Sequence, residues 1–139
     1  MRGAEAPTRI VAYVADLMFA SRIDETLKQR GYEVRAVEDL PALLAEVDDG
    51  AKLCVLDLHA GATATDVVAL CQPRGVPVIG FGRHTEPALL RDAREAGLAT
   101  VVPRSEFFEN MPDLVATTLT KTPRRSPSPP SGEGWRQPG

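Results

Sequence analysis

The chain has 139 residues, 43% of them hydrophobic and 25% charged, a balance that indicates one soluble globular domain and excludes a fibrous or wholly disordered chain. The formal net charge of −3 divides into a basic segment, residues 121–139, with four basic and one acidic side chain, and a remainder with 12 basic and 18 acidic ones. An acidic body without a Lys/Arg stripe excludes a nucleic-acid-binding surface, which needs cations to replace phosphate counterions.

Apolar runs and amphipathic segments alternate along the chain. The first, "RIVAYVA", is a continuous β-branched run typical of a strand buried on both faces. The segment after it places Leu17, Ala20, Ile23 and Leu27 at helical spacing, which predicts an amphipathic helix ending near Gly31. The predicted strands are 9–15, 32–37, 51–58, 75–82 and 98–103, and the predicted helices are 16–31, 38–49, 62–71, 85–97 and 105–120.

Local signals support several helix ends. Pro41 and Pro87 are expected in first helical turns, where a missing N–H costs nothing. Thr85 is the predicted N-cap and Gly97 the predicted end of the fourth helix. Pro112 is expected to delay or bend the fifth helix.

Five strands alternating with five helices predict an α/β fold, a flavodoxin-like, doubly wound parallel sheet of order 2-1-3-4-5 with helices on both faces. Ligands bind such sheets beyond the strand C-termini, at the switch point between strands one and three. Asp57 ends strand three at that point. It is interpreted either as a satisfied strand-end acid, as a phosphoacceptor or as another ligand-binding group.

The flanking segments and the cysteines carry weaker signals. Residues 1–8 are interpreted as an N-terminal extension, 9–120 as the domain, and 121–139, rich in Pro, Ser and Arg, as a disordered tail. Cys54 and Cys71 lack metal-ligand spacing and are expected to be buried thiols. No long apolar run or secretion signal is apparent, so a cytoplasmic location is expected.

The stretch from about 9 to 119 resembles the receiver domain of bacterial two-component response regulators, and more closely a divergent, pseudo-receiver subgroup. The resemblance is carried by "CVLDL" with its final Asp57, by "VPVIGFG", by "AREAG" before "ATVV", and by "PRSEF" after strand five. It implies a domain of phosphorelay signal transduction that receives a phosphoryl group on the strand-three aspartate. The implied metal is Mg²⁺, and the implied partners are a histidine kinase or a downstream signalling protein.

Transferring the family's roles by position leaves most of them unfilled. Asp57 matches the acceptor, and His59 would supply a backbone carbonyl to the metal. The acidic pair that holds Mg²⁺ falls on Val14 and Ala15, and Asp16 follows one residue late, either as a metal ligand or as the N-cap of the first helix. Mg²⁺ binding is therefore expected to be weak.

The remaining roles fall on strands four and five. The strand-four hydroxyl falls on Gly82, and the strand-five lysine falls on Arg104. Arg104 is expected either to bind phosphate or to form a permanent ion pair with Asp57. The face formed by helix four, strand five and helix five is the family's usual partner surface, and its candidates here are Arg91, Arg104, Phe107 and Phe108, with one of the two phenylalanines expected to pack in the core and the other to be exposed.

Other features favour ordinary structural roles. "GFGRH" is expected to be a tight turn rather than a phosphate-binding loop, and His84 is expected to be solvated. No nucleophile and base can be placed together, so catalysis is not expected. The expected function is a stand-alone signalling domain that binds a protein without ordinary phosphorylation, with no membrane or nucleic-acid partner. The alternatives are a regulator phosphorylated on Asp57 and a small-ligand-binding flavodoxin-like domain.

Overall fold

A computed structural model describes residues 7–121 of the chain; the predicted disordered tail lies almost wholly outside these residues. Five strands and five helices alternate within this range. The strands are β1 (Arg9–Tyr13), β2 (Glu33–Val37), β3 (Leu53–Asp57), β4 (Val78–Gly82) and β5 (Thr100–Pro103). The helices are α1 (Leu17–Lys28), α2 (Leu40–Asp48), α3 (Ala64–Cys71), α4 (Pro87–Ala96) and α5 (Arg104–Lys121), with a 3₁₀ turn at Gln72–Arg74.

The sheet is parallel throughout and has the order β2-β1-β3-β4-β5, as predicted. The helices cover both faces. On one face α1 and α5 pack on the sheet through Ile23, Leu27, Phe107 and other buried residues. On the other, α2, α3 and α4 enclose a second apolar layer. Since both faces are buried, β3 is fully buried along its length, which explains its unbroken apolar sequence.

Helix ends follow the predicted chemistry with exceptions, one of which is α1, which ends at Lys28 with Gln29 as its cap, before the predicted Gly31. The Asp16 carboxylate caps α1 by accepting hydrogen bonds from the backbone N–H groups of Met18 and Phe19, at 2.8 and 3.3 Å. Gly97 closes α4 at a φ of 108°, a conformation that other residues adopt only with strain. The predicted N-cap at Thr85 is wrong, because α4 starts after Glu86 and has no side-chain cap.

Two further details differ from or refine the sequence prediction. Leu17 belongs to the apolar pattern of α1 but is 76% exposed, since the helix turns only its later residues, Ile23 and Leu27, into the core. Helix α5 is broken at Asn110, where φ is −120° and ψ is 19°. The missing N–H and the ring of Pro112 explain this predicted bend.

Candidate functional site

Asp57 lies at the C-terminal end of β3, the central strand, opposite Phe81 of β4. The residue is only 5% exposed. One carboxylate oxygen accepts a hydrogen bond from the His59 N–H at 2.9 Å, which forms a local Asx turn. Within residues 7–121 this is the carboxylate's sole hydrogen bond, and no ion pair involves it. A nearly buried acid with one donor is poorly compensated for its lost hydration.

The end of β1 supplies no second carboxylate from the positions where the resemblance expects an acidic pair. Val14 is 2% exposed and belongs to the core beneath α1 and α5. Ala15 has no ligand atom, and an oxygen of the next residue, Asp16, is engaged by the first turn of α1. The Asp16 side chain therefore has the N-cap geometry that was one of its two predicted roles.

These donors are fewer than the acidic pair and acceptor that the resemblance implies for Mg²⁺. Mg²⁺ dehydrates reluctantly and is ordinarily held by one or two carboxylates together with phosphate and water. In the described part of the chain, no group of three or more His, Cys, Asp or Glu side chains is arranged to hold a metal ion. Of Asp16 and Asp57, only Asp57 has no helix-capping hydrogen bond among the described residues.

His59 helps to fill the space above the end of β4. No role was predicted for its side chain. A β-carbon added at Gly82 would lie 3.3 Å from Leu58, 3.3 Å from Leu90 and 3.4 Å from His59 Nε2. The two leucine distances are tighter than most van der Waals contacts, and the His59 distance is at the short limit of ordinary contact, so a larger residue here would press on its neighbours. His59 therefore occupies the volume next to the position where a strand-four hydroxyl residue would stand.

His59 is also fixed by hydrogen bonding. Its Nε2 accepts the backbone N–H of Arg83 at 3.1 Å, which requires that nitrogen to be unprotonated and assigns the proton of the neutral ring to Nδ1. Nδ1 lies 3.9 Å from Glu86 Oε2, and the same carboxylate accepts a bond from Arg83 at 3.4 Å. His59 thus joins the loop after β3 to the loop after β4.

Arg104 does not form the expected ion pair with Asp57. Strand β5 ends at Pro103, opposite Gly82, and Arg104 is the first residue of α5. Its guanidinium lies over the Phe19 ring, 5.0 Å from the centroid, and is paired with no acid among residues 7–121. The helix start directs the side chain toward α1, so the hypothesis of a locked Asp57–Arg104 pair is wrong for this structure.

The aromatic residues assigned to a partner face lie elsewhere. Phe107 is fully buried and stacks on Phe81 with centroids 4.7 Å apart, so it cannot contribute to a surface. Phe108 is half-buried and contacts Phe19 at 5.4 Å, toward α1 rather than α4. Of the four candidates, Arg91 alone is classed as exposed, and it lies on α4. The expected face of α4, β5 and α5 therefore lacks an exposed aromatic residue.

The strongest electrostatic effects lie away from Asp57. Arg9, at the start of β1, forms ion pairs with Glu33, Glu46 and Asp49 and lowers the pKa of Asp49. The two thiols are free and buried, as expected; a hydrogen bond with Cys71 together with burial raises the pKa of the Cys54 thiol. These groups stabilise the fold and do not face the end of β3.

His59 and Gly82 could have been paired from the sequence by a volume argument. β4 ends in Gly82 and contains a second glycine, Gly80, so the missing side chains indicate space beside this strand that neighbouring residues fill. The turn at Asp57 decides that His59, and not Leu58 alone, fills that space. No local sequence pattern predicts the geometry of this turn.

No protein-family model and no curated protein matches the sequence. Solved structures do match it. The receiver domain of the TMAO respiratory system response regulator TorR has 18% identity and a TM-score of 0.75, over 84% of this chain and 100% of that one. A response regulator from Thermotoga maritima has 10% identity and a TM-score of 0.71, over 83% and 99% of the two chains. An orphan response regulator of H. pylori has 12% identity and a TM-score of 0.67, over 83% and 98%. The chain therefore has the receiver fold.

Proposed function

We propose that the chain is a receiver-like signalling domain that acts by binding a protein partner, without ordinary Mg²⁺-dependent phosphorylation of Asp57. The proposal rests on the C-terminal ends of β3 and β4, where neighbouring side chains occupy the space and few carboxylates are available to a metal ion. Val14 and Ala15 stand where the resemblance expects an acidic pair, and His59 lies with Leu58 and Leu90 around the space over Gly82. The proposal assigns no catalytic turnover to the chain.

The chemistry of phosphoryl transfer supports this reading. Catalysis of that reaction rests on positioning and on neutralising the charge of the transferred group. Here the metal-binding carboxylates are missing, and Arg104 is turned toward Phe19. A phosphoryl group on Asp57 would have neither of the usual partners, nor a strand-four hydroxyl to report its presence.

The alternative is a phosphorylatable regulator that uses Asp57. It is favoured by one observation: the carboxylate stands at the C-terminal end of the central strand, at the switch point of the sheet. The two functions make different demands on Asp57, because only phosphorylation requires a phosphoryl donor and a metal ion to reach its carboxylate.

An amide NMR titration distinguishes them. Mg²⁺ and beryllofluoride, a phosphoryl mimic, are added to the labelled full chain up to millimolar concentrations. We expect no saturable shift at residues 57–60 or 82–86. A saturable response that Asp57→Asn abolishes would refute the proposal and establish the phosphorylatable alternative. Gly82→Ser in a His59→Ala background returns the hydroxyl alone, and we expect it to stay silent as well, because the acidic pair is still absent.

A further inference from the structure

An apolar groove lies beside the starts of β4 and β5, at the edge of the sheet opposite Asp57. It encloses about 290 Å³. Its apolar lining consists of Val68, Val76, Pro77, Val78 and Ala99. Gln72 adds a polar side chain, and no charged side chain of the described residues lines it. We call this feature the edge groove.

Two glycines at helix ends complete the lining of the edge groove. Gly75 follows the 3₁₀ turn after α3 at a φ of 73°, and Gly97 follows α4 at a φ of 108°. A β-carbon added at Gly75 would meet no heavy atom within 4 Å. The opening of the edge groove therefore depends on two backbone turns that lack side chains, and the space beside them is unfilled by the described residues.

The size and chemistry of the edge groove favour one large amphipathic side chain. Small-molecule sites usually begin at about 300 Å³, so this volume suits a single side chain better than a larger ligand. The Gln72 side chain is exposed and makes no hydrogen bond within residues 7–121. Its amide oxygen can accept one from a donor that enters beside the valines. A tryptophan, with an apolar ring system and a single N–H donor, matches these properties.

The sequence contains one tryptophan, Trp135, which follows the end of α5 at Lys121 by 14 residues. Helices that alternate with parallel strands run back across the sheet, so α5 ends at the edge where the strands start. Fourteen residues span at most about 46 Å and, as a flexible chain, about 20 Å on average. A domain of this size has a radius of gyration of about 13 Å. Trp135 can therefore reach the edge groove of its own chain.

Charge and composition also favour residues 122–139 as the occupant. They carry three basic side chains and one acidic one, whereas residues 1–121 carry 13 basic and 18 acidic ones. The 3₁₀ turn after α3 and helix α4 both end at the edge groove, and the C-terminal end of a helix attracts cations. Glu95, in the last turn of α4, is exposed and forms no ion pair within residues 7–121. Five prolines restrict residues 122–139 before binding, which lowers the entropy lost on docking.

We propose that residues 122–139 bind back on the edge groove, with Trp135 between its apolar side chains and the indole N–H donating to Gln72. Attachment to α5 gives the segment an effective concentration on the order of millimolar, so a contact too weak for separate molecules forms within one chain. The bound segment closes the edge groove to other ligands. This inference goes beyond the proposed function and does not involve Asp57, so either proposal can fail while the other survives.

The test measures the fluorescence of Trp135 in the full chain. We expect a blue-shifted emission and slower quenching by acrylamide than in a synthetic peptide of residues 122–139. Ala99→Lys places a charged side chain in the edge groove and should return both properties to those of the peptide. The backbone bond from the Ala99 N–H to the Val78 carbonyl is kept in this variant. Arg124→Glu/Arg125→Glu should lower the ratio of bound to free segment about threefold or more.

Ala88→Lys is the matched control, because Ala88 is an exposed alanine in the first turn of α4, away from the edge groove. It should leave the emission of Trp135 unchanged. Trp135→Ala in the isotope-labelled chain should shift the amides of Val76, Val78 and Ala99, which keeps the test valid if Ala99→Lys does not fold. Peptide-like emission of the wild type, or shifts by Trp135→Ala that avoid these amides, would overturn the proposal. A blue shift that disappears on dilution would also overturn it, by assigning the segment to a second copy.

Discussion

A double-mutant cycle between His59 and Gly82 tests whether the histidine fills the space at the end of β4. A threonine at position 82 suits a strand but adds a β-carbon 3.4 Å from His59 Nε2, with γ-atoms reaching further. Overpacking of this kind typically costs about 1–3 kcal/mol. His59→Ala loses the 3.1 Å bond from Arg83 N–H and some packing, about 1–2 kcal/mol.

Because the alanine also vacates the space, the double variant should be more stable than the sum of the single effects predicts. We expect a coupling of about 1 kcal/mol, measured by urea unfolding of the wild type, both single variants and the double variant. Two of the three close neighbours, Leu58 and Leu90, remain, so the relief is partial.

The control cycle combines Gly82→Thr with His84→Ala, an exposed histidine of the same loop. These effects should add within about 0.5 kcal/mol. Additivity in the His59 cycle as well would mean that the imidazole does not occupy the volume beside Gly82, and it would remove the main support for an obstructed phosphoryl site.

Three other predictions concern the charge at Asp57, the aromatic layer and the acid dependence of folding. Asp57→Asn keeps the acceptor for the His59 N–H and removes a nearly buried charge, so the free energy of unfolding should stay equal or rise; a fall above about 1 kcal/mol would reveal a cationic partner for Asp57. Phe107→Ala should cost about 3–5 kcal/mol in chemical unfolding, and Phe108→Ala clearly less, because only Phe107 is fully buried; equal costs would contradict the assignment. Arg9 lowers the pKa of Asp49 from its ordinary 3.8. Arg35 has the largest effect on Glu33, and together with Arg9 it lowers the pKa of that carboxyl from its ordinary 4.5. The stability that these two carboxylates contribute is therefore complete above those pH values and is lost as the pH falls below them. Arg9→Gln should therefore make the loss of stability below about pH 4.5 shallower in acid titrations, whereas an unchanged slope would place the sensitive carboxylates elsewhere.

The fold was predictable because hydrophobic periodicity reports burial directly. Strands buried on both faces, such as β3, have no polar alternation, and the order of strands and helices leaves few topologies. The predicted ends were less accurate where no side chain marks them: α4 begins after Glu86 without a capping bond, whereas Thr85 has the better capping chemistry. Leu17 shows the limit of periodicity, since a residue on the apolar side of a helix is buried only if the sheet extends beneath it.

The candidate site was predictable only in part, because it depends on directions that side chains take beyond the strand ends. Asp57 could be placed from its position in β3, and the capping geometry of Asp16 from its position before α1. The direction of the Arg104 side chain could not be predicted, because a shift of one residue decides whether a position ends a strand or starts a helix. Pro103 ends β5 and Arg104 begins α5, which turns the guanidinium from the expected Asp57 to Phe19.

The same turn of Arg104 decides which groups its charge can reach. A guanidinium at the end of β5 that faced Asp57 would neutralise that carboxylate; over Phe19 it leaves Asp57 without an ion pair among the described residues. Arg104 also lines a cavity with Arg83 and His84, in the loop that His59 contacts through the Arg83 N–H. The charge near Asp57 and the lining of this cavity therefore both depend on the direction of one side chain, because the one residue that separates the end of β5 from the start of α5 sets that direction.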